Sequence, residues 1–404
     1  MVLLRKFIIL LLILVSSSWA QLPYRDFEIV ESIPLETVLD NPEIRNTADV
    51  WLEMIGNATA TLDLEQFYIA NQANATLEPV ICTIEAAARR GVNVRVLVDA
   101  RMAKIYPETL ERLNQQSGIQ VRTTDRYNQD GGVQHSKFFI INHQEVFIGS
   151  QNFDWRALDQ IHEVGLRICH QEYARRMTEL FELDWQQSKG ESIPAQTPSN
   201  PEDWLTFQPG GMEPIFFLAT ASPEKNIPSS MQPDLPQIVH LINHANKRVF
   251  IQLLTYSPSV RGGANFTTLE EALIQAAKRG ADVRLLCSDW CTKSDEIPYL
   301  KKLVQLPGIQ VTLSTIPEWS QGYIPFARVE HCKYMIVDDS LSWIGSSNWE
   351  KNYFSDSRNV GIIIRNSQVN ALLGSIFLKS WDGQYVQTVV PQKEYKPKFY
   401  GERH

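Results

Sequence analysis

The sequence predicts an α/β protein built by tandem duplication, each half a mixed β-sheet flanked by helices. Three observations predict it. A polar cassette occurs twice: His135-Ser136-Lys137, Gly149-Ser150-Gln151-Asn152 and Glu163 return 196 positions later as His331-Cys332-Lys333, Gly345-Ser346-Ser347-Asn348 and Asn359. The surroundings repeat as well, since Ala87-Ala88-Arg89-Arg90-Gly91-Val92 parallels Ala276-Ala277-Lys278-Arg279-Gly280-Ala281, and Gly118-Ile119-Gln120-Val121 parallels Gly308-Ile309-Gln310-Val311. These segments read as helices stopped by glycine and followed by buried strands, the mark of β-α-β units. Phe181 and Trp185 also match Phe377 and Trp381 at the same offset of 196.

Taken in order, residues 1–20 read as a secretory signal: Arg5 and Lys6, the apolar run Phe7 to Val15, then Ser18-Trp19-Ala20. Nine apolar residues fall short of the ~20 that span a bilayer, and a retained anchor is the alternative. Residues 21–190 form the first half. Residues 191–212, within the Pro-, Ser- and Gly-rich stretch from Gln186 to Pro214, form the connector. Residues 213–390 form the second half, in which Thr267 and Glu270 are spaced as a capping box. Residues 391–404 read as a loose tail.

Each cassette histidine is expected on a strand. The segment Gln134 to Ile141, apolar and aromatic or β-branched from Phe138 on, turns at Asn142-His143-Gln144 and resumes at Glu145. Period-two geometry then places His135 and Lys137 on one face, and Val329 to Asn348 repeats the arrangement. Cys332, between His331 and Lys333, points to the buried face. His143 and His162 fit no pattern and are expected on the surface.

The charge of −8 over 404 residues excludes a protein that clings to nucleic acid through bulk electrostatics. A polyanion must be gripped locally, by Lys137, Lys333 and the candidate arginines Arg156 and Arg328. The five cysteines match no zinc spacing; Cys287 with Cys291, and Cys82 with Cys169, are candidate pairs. Sequons at Asn57, Asn74 and Asn265 fit a lumenal or secreted protein. For a bacterial chain the same leader would mean the periplasm.

Chemically, each cassette offers a nucleophile or proton carrier, a fixed cation and neutral hydrogen-bond donors. That is what a phosphodiester held between two histidines requires, with no metal or other cofactor. One His-x-Lys alone would be a structural pair; duplication at fixed spacing reverses that reading.

The pattern His-x-Lys-x4-Asp followed by Gly-Ser-x-Asn, present twice, resembles the phospholipase D superfamily. Ile324 to Met335 and Ile344 to Trp349 are similar to its branch of endolysosomal 5′ exonucleases on single-stranded DNA and RNA. The resemblance covers about Glu28 to Gln387. It implies that the halves meet about a pseudo-twofold so that both cassettes share one site, and that mammalian relatives keep an N-terminal anchor. It also implies a phosphohistidine mechanism, with His135 as nucleophile and His331 as general acid and base. Glu163 is expected to hold His135 and Asn359 to orient His331. Lys137, Lys333, Asn152 and Asn348 would contact nonbridging oxygens, with Ser150 and Ser346 as supporting donors. Two departures make the halves unequal: Asn142 stands where the second copy keeps Asp338, and Glu163 is matched by Asn359. Asn142 and Asp338 are expected to close turns and accept backbone hydrogen bonds.

The expected partner is single-stranded nucleic acid, with phospholipid as the alternative substrate and a homodimer possible. The expected location is a lysosomal lumen or the exterior. Phe67, Tyr68, Trp155, Tyr256, Trp349, Tyr353 and Phe354 lie at strand ends or beside the cassettes, where aromatics stack on bases or pack the core. A non-catalytic lumenal binding protein is the competing class.

Overall fold

A computed structural model describes residues 25–191, 203–210, 212–260 and 263–402. Residues 1–20, expected as a secretory leader, and most of the expected connector lie outside the described residues. Among those described, no helix is long and apolar enough to cross a membrane.

Two sheets repeat one strand order. The first runs Arg45–Asn46, Phe27–Ser32, Glu163–Cys169, Glu145–Gly149, Lys137–Ile141, Thr61–Gln66, Asn93–Asp99, Ile119–Thr124. Its last three strands are mutually parallel and its centre is antiparallel. The second repeats this as Ile215–Ser222, Asn359–Arg365, Leu341–Gly345, Tyr334–Val337, Arg248–Leu253, Asp282–Ser288 and Ile309–Ser314. The helices stop where the sequence placed glycine: Gly91 and Gly280 follow Glu78–Arg89 and Thr268–Lys278 with φ of +97° and +96°, which glycine adopts without strain.

Both faces of each sheet are covered, so the central strands Lys137–Ile141, Glu145–Gly149, Tyr334–Val337 and Leu341–Gly345 are largely apolar rather than alternating. Phe139 and Ile141 pack on the outer helices of the first half, and Met335 and Val337 do the same in the second. The alternate residues Phe138, Ile140, Tyr334 and Ile336 enter a third core shared by both halves, filled by the helices Gln171–Gln187 and Ser367–Trp381. Phe181 and Phe377, matched by the repeat, both lie in it.

Several expectations are corrected. The histidines precede their strands, which begin at Lys137 and Tyr334. Their backbone instead bridges to the opposite half, His135 donating to the Arg358 carbonyl at 2.9 Å and His331 to the His162 carbonyl at 2.9 Å. His162 is fully buried, whereas His143 is exposed as expected. The connector carries a strand, Leu205–Phe207, that extends the second sheet. The tail is anchored: Tyr400 stacks on Trp290 at 4.0 Å and the Lys398 amide donates to Thr292 Oγ1 at 2.9 Å, because its aromatic residues find an apolar surface. Thr267 forms no capping box; it donates to Glu271 at 2.6 Å, while Glu270 pairs with Lys302. All five cysteines are free, with Cys82 and Cys169 exposed and Cys332 buried. Asn57, Asn74 and Asn265 are exposed.

Candidate active site

The site forms where the sheets' antiparallel centres meet. Each cassette lies on a hairpin whose second strand ends in glycine, and Gly149 lies opposite Gly165 as Gly345 lies opposite Gly361. A Cβ on Gly149 would come within 2.7 Å of the Gly165 Cα, and one on Gly345 within 2.5 Å of the Trp343 ring. That tight approach turns Ser150 and Ser346 inward, where their hydroxyls bond the backbone of Val164 and Val360.

The partners of the two histidines are crossed relative to the sequence expectation. Glu163 Oε2 lies 2.7 Å from His331 Nδ1, and Asn359 Oδ1 lies 2.9 Å from His135 Nδ1. Each imidazole is held by the residue that closes the opposite half's cassette, because the histidines leave their own sheet to pair across the junction. The Asn359 amide is oriented: its Nδ2 donates to the Tyr353 carbonyl at 2.8 Å, so Oδ1 faces His135 and also accepts from Ser346 Oγ at 3.0 Å. His135 Nδ1 therefore carries the proton and Nε2 keeps its lone pair. Glu163 likewise receives Nδ1–H of His331.

Lys137 Nζ donates to the His135 carbonyl at 2.8 Å and Lys333 Nζ to the His331 carbonyl at 2.9 Å. Burial and the two ammonium groups push both histidines well below their ordinary range. Burial, reinforced by Lys333, lowers Lys137 strongly, and burial lowers Lys333 to about 8 against the pull of Glu163. Burial also raises Glu163, with Lys333 opposing it. This is a desolvated site rich in basic groups. Asn152 and Asn348 are buried, each with an Oδ1 that no donor among the described residues reaches.

Asn142 and Asp338 sit away from the histidines, in turns at φ of +53° and +49°. Asn142 Oδ1 accepts from the amides of Thr59, Ala60 and Thr61, and Asp338 from those of Asn246, Lys247 and Arg248. The shared task is acceptance, which asparagine performs as well as aspartate. Arg156 and Arg328 are not available to a substrate: Arg156 is bound to Asp154 and the Pro325 carbonyl, and Arg328 to the Pro317 and Leu35 carbonyls. Of the flagged aromatics, Tyr256, Trp349 and Phe354 are core. Phe67 and Tyr353 bracket His135, at 4.9 Å and 4.8 Å between ring centres, and Tyr68 stacks on Tyr106 at 5.0 Å.

Sequence reasoning missed the residues beneath the site, among them Glu31, Gln134, His162, Glu330 and Arg358. The 196 offset pairs Gln134 with Glu330 and His162 with Arg358, and was the signal available. His162, Glu330 and Cys332 have ligating atoms within 4.8 Å of one another, but both ring nitrogens of His162 already serve carboxylates, leaving none for a cation.

A duplicated α/β fold that clamps two imidazoles and two ammoniums at the junction of its halves defines an enzyme of phosphate diesters. The comparisons make the class particular: residues 51–185 and 238–381 match the family model described as cardiolipin synthase, PLD-like domain, and the chain belongs to the phospholipase D superfamily. It is 32% identical to the 5'-3' exonuclease PLD3 of Macaca fascicularis over 391 residues, covering 88% of this chain and 79% of that one. It is 30% identical to the virion nicking-joining enzyme of vaccinia virus (strain Western Reserve), covering 88% of each. The crystal structure of phosphatidylserine synthase from Haemophilus influenzae Rd KW20 shares the fold with a TM-score of 0.58 and 14% identity over 85% of each chain.

Proposed function

We propose that this phosphodiesterase degrades single-stranded DNA or RNA from the 5′ end in an acidic lumen, through a phosphohistidine. The observation that carries the reading is the crossed pairing, which backs one imidazole with a neutral amide and the other with a carboxyl group. His135, backed by a neutral amide and faced by two lysines, enters as the neutral nucleophile. His331, backed by a carboxylate, enters protonated once the phosphodiester anion offsets the lysines. His135 Nε2 attacks phosphorus, the bond to the leaving oxygen breaks, and His331 Nε2 gives that oxygen its proton. His331 then removes a proton from water, the water oxygen attacks phosphorus and the P–N bond breaks, restoring both rings. Lys137, Lys333, Asn152 and Asn348 neutralise the nonbridging oxygens as charge gathers on them. Glu163 thus serves the proton carrier rather than the nucleophile, so the role of His135 rests on different support from that expected in sequence.

Nucleic acid is favoured as substrate by the names of the relatives and by the aromatics around His135, which offer a face for the terminal base. The depressed histidines suit an acidic compartment. The sequons, the leader and the lysosomal or secreted location belong to this reading. The test is digestion of 5′-hydroxyl oligonucleotides at acidic pH in EDTA, beside the same strands with a blocked 5′ end. Release of mononucleotides from the open strands alone supports the reading; release from neither, with headgroup exchange on phospholipid vesicles, replaces it with a lipid phosphodiesterase.

A further inference from the structure

Beneath the catalytic pair the two halves are joined by two parallel backbone bridges, Gln134 with Arg358 and His162 with Glu330. These are the same positions of the repeat, and each bridge buries a cationic side chain. Arg358 is fully buried, donating to both oxygens of Asp184 and to the Ser222 and Asn226 carbonyls. At the equivalent position His162, also fully buried, lies between two carboxylates: Nδ1 is 2.7 Å from Glu330 Oε2 and Nε2 is 2.8 Å from Glu31 Oε1. An imidazole whose two nitrogens both face carboxylate oxygens must donate from both, and so is an imidazolium.

We propose that His162 is a positioning residue for proton delivery: clamped between Glu31 and Glu330, it holds Glu163 and His331 in register across the junction. The proposal rests on the phosphodiesterase reading, with His331 as the proton carrier. His162 precedes Glu163 in the chain, accepts the His331 amide at 2.9 Å through its carbonyl, and donates its own amide to Val329 at 3.1 Å. Its backbone therefore touches both members of the His331–Glu163 pair, and the ring, held by Glu31 and Glu330, fixes where that backbone sits.

Among the described residues, two carboxylates and a thiol face the ring. Glu31 comes from the strand Phe27–Ser32 and is anchored by Asn41 Nδ2. Glu330 and Cys332 come from the segment before Tyr334–Val337, with the Cys332 amide donating to Glu330. Behind them Gln252 accepts from Tyr334. Two carboxylates and one imidazolium lie behind Glu163 and His331, whereas on the His135 side Arg358 faces Asp184 and a second carboxyl, Glu65, which burial pushes well above its ordinary value. Burial disfavours the His162 cation, but the neighbouring thiol and carboxylates outweigh it; burial pushes the Cys332 thiol up and keeps it neutral, so the carboxylates decide.

The assignment is tested with two esters of thymidine 3′-phosphate that share the reacting phosphorus. In thymidylyl-(3′→5′)-thymidine the leaving alkoxide needs a proton; in the p-nitrophenyl ester the leaving phenolate does not. The full chain carrying His162→Gln should lose roughly tenfold to a hundredfold in kcat on the dinucleotide, a fraction of what a general acid supplies, with KM unchanged and less than a threefold loss on the p-nitrophenyl ester. Glu330→Gln, which leaves the ring in place, should show the same bias if His162→Gln fails to fold. Equal losses on both esters, or none, overturn the assignment while the phosphodiesterase reading survives. A wild-type chain inactive on both removes the reading beneath it.

Discussion

His135 and His331 occupy equivalent positions of the repeat, yet one faces the amide of Asn359 and the other the carboxyl of Glu163, and the proposed mechanism gives them different chemistry. Replacing either by alanine should lower turnover of a dinucleotide by roughly a hundredfold to ten-thousandfold, the range for a positioned acid or base. Only His331→Ala should still accumulate a phosphoenzyme from the p-nitrophenyl ester, detectable as acid-labile incorporated phosphate. The pH dependence follows from the same environment. Burial with two lysines lowers His135, so its neutral form persists below the ordinary histidine value of about 6.5, and the acid limb of kcat/KM should lie below that value. On the basic side kcat/KM should fall as His331, lowered by burial and the two lysines, loses the proton it donates, and further as Lys333, lowered to about 8, loses its charge. A profile that already declines on acidification through about pH 6.5 contradicts the buried-site account. Asn142 makes a different point. Asn142→Asp should leave kcat within about twofold, whereas Asn142→Ala strips an acceptor from three amides and should cost about 1–3 kcal/mol in denaturant unfolding.

At the scale of elements, the hairpins owe their function to glycine as much as to polar residues. Gly149→Ala and Gly345→Ala drive a methyl into the facing strand or into Trp343, and overpacking of this kind costs about 1–3 kcal/mol. Both should lower Tm, and they should lower kcat further by displacing the serine and asparagine that follow. The hairpins, the glycine stops and the placement of Cys332 on a buried face were legible in the sequence, because turn chemistry and period-two alternation are local. The start of each strand was not. His135 looks like a strand residue from its neighbours, but its amide is claimed by Arg358 from the other half, and nothing within its own segment announces that. His162 was misplaced for the same reason: a histidine without a local pattern reads as surface, whereas Glu31 and Glu330 lie 131 and 168 positions away.

For the molecule as a whole, duplication does more than double the fold. The third core is assembled from both halves, and each catalytic ring takes its Nδ1 partner from the half it does not belong to. Residues 25–191 expressed alone should therefore be inactive on p-nitrophenyl esters and should expose the apolar face of Gln171–Gln187. Mixing them with residues 203–402 should restore activity together with a stable complex in size-exclusion chromatography; activity in the isolated half would refute a shared site. The amino-acid sequence by itself determined the duplication, the α/β class, the histidine and lysine pairs and the family, because repeats and strand patterns are written in spacing. The tertiary structure alone decided which carboxylate or amide holds which imidazole. That choice depends on strands crossing between halves, and a hydrogen bond of 2.7 Å between residues so distant in the chain leaves no trace in local periodicity.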